Sequence, residues 1–317
     1  MALKSGKTVE TKIPSGEEAL KSKSATKTEE QPKGFEELLR TAVPEKEGKV
    51  LLAGGSGPKV SLQGPVVLPA YVRLHGRAYE DNKREEYKQA KKIFKAGEIA
   101  AVVGVSTYGK QANIVLGQIK FFTWHYLANA QKEFPPVTAL SVADLVITSD
   151  RKLVLQERSG SVTGAERMLS TPSGYLGSEF LKKSGSILPK AALKYAIKDL
   201  GAKLQRKDSP EFVALIADTS VSKNNTQALF ELEVRNNSAE IMAMLRTAED
   251  AAKTARLEFV DIDQLPLLRY YVDNFHRMTP HLKLGLLAFG YLNFGELWVS
   301  ATVTELERKQ LKSKRLD

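Results

Sequence analysis

Two sets of residues in this 317-residue sequence have types and spacings suited to phosphate chemistry. The first is Gly104-Val-Ser-Thr-Tyr-Gly109-Lys110. It matches the Gly-x4-Gly-Lys frame in which backbone N–H groups and a lysine cradle phosphates at the start of a helix. The next residue is Gln111, where a Mg²⁺-binding loop of this type has Ser or Thr. The second set is Lys190, Lys194 and Lys198, spaced four apart so that they share one helix face. Such a row is either a solvated face or an anion-facing one. Asp199 follows it near the helix C-terminus, where a carboxylate opposes the macrodipole. The four histidines (75, 125, 276 and 281) have no compact ligand spacing, so a histidine metal site is not expected.

The elements that must position these residues are legible in part. Leu145–Ile147 and Leu153–Leu155 are apolar runs split by Ser149-Asp150-Arg151-Lys152, the pattern of a β-hairpin. Its second strand ends on Glu157-Arg158, and a Gly/Ser-rich loop containing Pro172-Ser173-Gly174 follows. A helix comes next. Ser184 and Ser186 are cap candidates, Pro189 suits a first helical position, and Ala192, Ala196 and Leu200 with Leu193 and Ile197 make an apolar face. Gly201 stands where a C-terminal stop is wanted.

This stretch resembles the Nudix hydrolase family. The arginine-ended strand LVLQER, the Pro-x-Gly loop and the helix AALKYAIKDLGA are similar to the core of that family, whose box reads Gly-x5-Glu-x7-Arg-Glu-U-x-Glu-Glu-x-Gly-U, with U aliphatic. With the final glycine on Gly201, Lys194 takes the arginine position, Tyr195 the next glutamate, and Lys198 and Asp199 the paired glutamates. Gly174 to Lys194 is six residues longer than in the family, and Glu179 stands for the loop glutamate. The resemblance spans residues 138–275. It implies an α/β (α+β) fold, an α/β/α sandwich with a mixed sheet. In the family the box acids hold Mg²⁺ or Mn²⁺ against a diphosphate, and water cleaves the anhydride. By resemblance, Glu179 and Asp199 would be the catalytic and metal-holding acids. Arg158 would face phosphate or base, and Ser173, Gly174 and Tyr175 would lie beside the ligand. Lysine at a metal-ligand position adds positive charge to a cation site, so Lys194 and Lys198 are expected to meet phosphate directly.

Composition sets the frame. A 42% apolar and 26% charged chain of this length carries a globular core, and no apolar run is long enough for a spanning helix. The absence of cysteine excludes disulfides, thiolate metal sites and a cysteine nucleophile. With no signal-peptide core at the N-terminus, a cytoplasmic location is expected. The net charge of +10 favours polyanionic partners, including RNA through the basic tails.

The chain divides into a disordered tail (1–33), an N-terminal α/β region (34–135), the Nudix-like domain (136–300) and a charged C-terminal tail (301–317). Within the second region, Gly34–Val43 reads as a short helix, Gly54–Pro58 as a flexible loop, and Val66–Tyr79 as one or two strands. Asp81–Ala96 reads as a charged helix whose Lys88, Lys91, Lys92 and Lys95 either solvate it or touch nucleic acid. Ile99–Val105 reads as a strand leading through the Gly104–Lys110 turn into a helix of about twenty residues. Pro135-Pro136 marks a boundary. Later come a strand near Phe212, a turn at Lys223–Thr226, a strand over Ala228–Val234, a capping box at Asn237–Glu240, and the strand and Asp-led helix of Leu257–Pro266. Two aromatic helices broken at Thr279-Pro280 complete the fold.

These readings converge on a Nudix-fold protein that binds a nucleotide or other phosphate-bearing ligand with weak or no hydrolysis. The alternatives are an active hydrolase of a nucleoside diphosphate derivative that requires Mg²⁺ or Mn²⁺, a structural, oligomeric or RNA-associated protein, and a phosphate-loop nucleotide binder at Gly104, Gly109 and Lys110. No membrane partner is expected.

Overall fold

The structure, a computed structural model, describes residues 33–89, 97–108, 111–130, 137–160, 167–181, 186–201, 203–218 and 225–313. The expectations for the N-terminal tail, for Ser184, for Gly109 and Lys110, for Lys91, Lys92 and Lys95, for Pro135-Pro136 and for Lys223-Asn224 lie outside these residues.

Among the described residues, eleven strands form one mixed sheet. At its centre is β5 (Thr138–Ile147), buried along almost its whole length. A strand covered on both faces reads as a near-continuous apolar run, and TALSVADLVI is one. Leu140 and Val142 pack with Leu188 and Ala192 of one helix, while Ala143 and Leu145 pack with Leu286 and Phe289 of another. These helices are α5 (Ile187–Leu200) and α8 (Pro280–Phe294), and the sheet lies between them as the middle layer.

On one side β5 pairs in parallel with β10 (Asn225–Glu233), which pairs antiparallel with β9 (Glu211–Asp218), which pairs with β1 (Lys49–Ala53). At its C-terminal end β5 turns back into β6 (Lys152–Arg158), and β6 pairs with β11 (Thr254–Asp261) and the short β7 (Leu169–Ser170). At its N-terminal end β5 meets β3 (Glu98–Tyr108). Beyond β3 lie β4 (Gln111–Lys120) and β2 (Lys59–Pro65). Strands from residues 34–135 thus pair directly with those of residues 136–300.

Several local expectations are met. The hairpin lies where the two apolar runs placed it, and α1 (Lys33–Ala42) lies over the Gly34–Val43 segment. The capping box is present at the start of α6 (Ser238–Leu245): Asn237 accepts from the Glu240 N–H at 2.9 Å, and Glu240 accepts from the Asn237 N–H at 2.9 Å. The Thr279-Pro280 break separates α7 (Gln264–Asn274) from α8, with the Thr279 hydroxyl accepting from the Leu282 N–H. A further helix, α9 (Glu296–Ser313), follows Gly295.

Other expectations are overturned. Val66–Tyr79 is not β-structure: α2 (Ala70–Gln89) runs through it and on through Asp81. The apolar period is helical, with buried Val72 and Gly76 four apart against α3 (Phe121–Ala130), where a Cβ on Gly76 would lie 3.2 Å from the Thr123 hydroxyl. The helix expected after the Gly104–Lys110 turn is a strand. β3 and β4 form an antiparallel hairpin in register from Glu98↔Lys120 to Tyr108↔Gln111. Ala112, Ile114 and Leu116 are buried at period two, which decides for strand over helix. Only ten residues, α3, remain helical. Pro189 is the third helical residue of α5, not the first, and Ser186 precedes the helix without a side-chain cap.

Candidate functional site

The Nudix-like stretch folds around Gly174. Ser173–Tyr175 is not an open loop but a short strand, β8, pairing antiparallel with β5 at Ala143, Val142 and Ser141. A Cβ at Gly174 would lie 2.6 Å from the Tyr195 ring. Glycine is required here because the tyrosine of α5 packs flat on the strand. The Tyr195 hydroxyl donates to the Tyr175 carbonyl, and burial pushes its pKa above the usual tyrosine range. The close approach anticipated between Gly174 and a ligand is thus taken by a side chain of the protein.

One turn further along α5, Asp199 is 2% exposed. Its Oδ2 accepts from the Ser173 N–H at 3.0 Å, and its Oδ1 accepts from Lys253 Nζ at 3.3 Å. Lys253 sits on a 3₁₀ turn, Ala251–Lys253, before β11 and also donates to Asp250 at 2.6 Å. Asp250 is itself anchored, its N–H donating to the Lys198 carbonyl at the end of α5 at 2.9 Å. Burial raises the Asp199 pKa, and the Lys253 charge and the Ser173 N–H only partly oppose it. The Lys253 ammonium also offsets the cost of a carboxylate in the last turn of α5.

Beneath Asp199 lies a second acid, Asp144 of β5, with no solvent exposure. Neither of its carboxylate oxygens has a hydrogen-bond partner among the described residues. Burial, and then the neighbouring Asp199 charge, push its pKa well above the usual carboxylate range. Arg158 Nε and Gln156 Nε2 of β6 and Thr254 Oγ1 of β11 are also buried without partners among the described residues. Burial lowers the Arg158 pKa, opposed by the charges of Tyr175 and Asp199. Buried polar atoms of this kind need a partner, whether water or ligand.

The remaining anticipated residues lie apart. Glu179, on the short α4 (Ser178–Leu181), pairs with Lys194 at 2.8 Å, and Lys194 also lies over the Phe180 ring. Burial acts upward on the Glu179 pKa, but the Lys194 hydrogen bond and charge outweigh it and hold it below the usual value. Lys198 pairs with Glu249 at 2.5 Å, chiefly through that hydrogen bond, which raises its pKa. Lys194 and Lys198 therefore present ion pairs, not the free amines expected. Gly104 lies in β3, and the strand after its turn removes the helix N-terminus that a phosphate loop needs.

The fit to a divalent cation is poor. Among the described residues no three Asp, Glu or His side chains are grouped to hold a metal. Glu179 and Asp199 do not form one ligand set, since each is tied to its own lysine.

Asp144, Gln156, Asp250 and Lys253 were not anticipated. Asp144 had a signal, being the only charged residue in an otherwise apolar strand. Lys253 had none, because it meets Asp199 across 54 residues.

No protein-family profile and no curated protein matches this chain. Solved structures similar to it include a bifunctional NMN adenylyltransferase/ADP ribose pyrophosphatase from Francisella tularensis, complexed with AMP and a Mn ion, at 12% identity and a TM-score of 0.29. That match covers 50% of this chain and 42% of the other, so this chain spans less than half of the bifunctional enzyme. A MutT protein from Methanosarcina mazei Go1 is 11% identical at a TM-score of 0.32, with 52% of this chain and 99% of that one covered. A NUDIX hydrolase from Nitrosomonas europaea is 16% identical at a TM-score of 0.27, with 45% and 93% covered. In this chain's own element order, the β5–β6 hairpin ending on Arg158, the Gly174 segment and α5 closed by Gly201, the fold is Nudix-like.

Proposed function

We propose that this chain binds a nucleotide or another phosphate-bearing ligand beside Arg158 and does not hydrolyse it. The observation that carries the reading is the Lys253 ammonium, which reaches Asp199 at 3.3 Å and Asp250 at 2.6 Å. A divalent cation held by box acids would polarise a phosphoanhydride and activate water. An ammonium on Asp199 partly compensates that acid and offers no coordination position for a water.

What remains for a ligand is Arg158. Its guanidinium carries a planar fork of donors suited to phosphate oxygens, and its Nε has no partner among the described residues. Gln156 Nε2 adds a second buried donor from the same strand.

The test is titration of ADP into the full chain in the presence of chelator. Saturable binding that Mn²⁺ does not improve and that Arg158→Gln weakens on the order of tenfold is expected. Mn²⁺-dependent release of phosphate that disappears in Asp199→Asn would overturn the non-hydrolytic reading. Absence of ADP binding would overturn the ligand.

A further inference from the structure

A second cluster of cations lies at the other end of β6. The seven residues of β6 put Arg158 and the β5–β6 turn roughly 20 Å apart. Beside that turn, where parallel β5 and β10 both end, is a cleft of about 320 Å³. Arg151, Lys207 and Arg235 line it with Glu233, and Ile147 and Val234 contribute its apolar part. All three cations are backbone-positioned. The Lys207 N–H donates to the Glu233 carbonyl at 2.8 Å, and the Arg235 N–H donates to the Gln205 carbonyl at 2.7 Å.

Arg151 is held by the turn itself. The Thr148 N–H donates to the Lys152 carbonyl at 2.9 Å, and the Arg151 N–H donates to the Thr148 carbonyl at 3.0 Å. This is a three-residue hairpin loop whose last residue must be left-handed, a place that suits glycine. Arg151 occupies it at φ 58°. Lys207 is paired with Glu233 at 2.6 Å, whereas neither Arg151 nor Arg235 has a carboxylate partner among the described residues. The Glu233 hydrogen bond raises the Lys207 pKa and the Arg151 charge opposes it.

We propose that this cleft is an anion site for a single phosphate group of a small phosphomonoester, with Arg151 and Arg235 as its principal ligands. The three cations less Glu233 leave two positive charges, which a phosphomonoester dianion would balance. Acids break up the basic surface: Glu233 lies within the cleft, ion-paired to Lys207, and Asp208 also acts on Lys207. With Glu233 paired to Lys207, Arg151 and Arg235 are left to meet one compact phosphate group, whereas an extended nucleic-acid backbone would bring several phosphates toward these carboxylates.

The experiment is calorimetric titration of inorganic phosphate into full-length Arg158→Gln protein, in which the site proposed above is weakened. One saturable event is expected. Adding Arg151→Gly and Arg235→Gln should weaken it on the order of tenfold or more. Arg151→Gly suits the left-handed turn and Arg235 is exposed, so an unchanged unfolding midpoint will confirm that the variant is folded. Equal affinity in the triple variant, or no saturable binding in Arg158→Gln, overturns the proposal and leaves the Arg158 reading intact. A short single-stranded RNA bound more tightly than phosphate, and lost in the same variant, would also overturn it by assigning the cleft to nucleic acid.

Discussion

Lys253 Nζ lies 3.3 Å from Oδ1 of Asp199, and this pair decides the chemistry of the α5 face. Asp199 is the one carboxylate that the box alignment preserves on that helix, and it is partly compensated from within the protein by Lys253. Asp199 is 2% exposed and Asp250 is 5% exposed, so the lysine bridges two acids that water cannot serve. Removing one partner of such a buried arrangement leaves the other charges less compensated. Lys253→Met is therefore expected to destabilise the fold by about 3 kcal/mol in urea unfolding. Asp199→Asn in the same chain should recover part of that loss, since the amide carries no charge to strand. Additive losses in the double variant would show that the two side chains are not coupled.

Gly174→Ala tests the contact that shapes β8. The new methyl would meet the Tyr195 ring at 2.6 Å, and that ring is held by its hydroxyl bond to Tyr175. Overpacking of this kind costs about 1–3 kcal/mol. Tyr195→Ala should relieve the clash, so Gly174→Ala should be far less damaging in that background. An unfolding midpoint unaffected by Gly174→Ala alone would refute the packing.

Asp144 has a pH signature with a definite sign. Its folded pKa is raised, so between the unfolded value of about 3.9 and the folded value the native state holds a proton that the unfolded chain has lost. Stability contributed by this group falls as pH rises through that window. Asp144→Asn removes the penalty: the variant should match the parent near pH 4 and be the more stable of the two at pH 8. Chemical denaturation at both pH values reads this directly, and a difference independent of pH would exclude a buried protonated acid.

Asp150 shows the opposite sign. Its carboxylate accepts from the Ser238 N–H at 2.9 Å and the Ser238 hydroxyl at 2.7 Å, tying the β5–β6 turn to the start of α6. Burial acts slightly upward, but hydrogen bonds from Thr148 and Ser238 bring its pKa down to about 2. Its contribution is present above the unfolded pKa and is lost as pH falls through about 2. Asp150→Ala should lower stability at neutral pH and abolish that part of the acid dependence. A parallel acid-unfolding profile in the variant would rule the tie out.

Divalent ions supply a further check. With Glu179 and Asp199 each paired to a lysine, millimolar Mn²⁺ should leave the unfolding midpoint of the parent chain unchanged. A saturable rise with Mn²⁺ would mean that a cation displaces Lys253.

What could be read in the sequence was local. The β5–β6 hairpin, the α6 capping box and the Thr279-Pro280 break each follow from residues within a few positions of one another, and the structure has all three. Val66–Tyr79 and the segment after Tyr108 misled for the same reason. Short apolar runs fit either a helix or a strand, and their partners settled the matter: α3 packed against Gly76 in one case and β3 paired with β4 in the other. The alignment of Lys194, Lys198 and Asp199 on one helix was also legible, but their charges were not. Ion pairing depends on groups brought together by the fold, and Glu179, Glu249 and Lys253 come from three other elements. Periodicity and turn chemistry act within a few residues and so specify elements from sequence alone. Burial and Coulombic pairing act across space, so only the tertiary structure decided which acids remained free, and Asp199 was not among them.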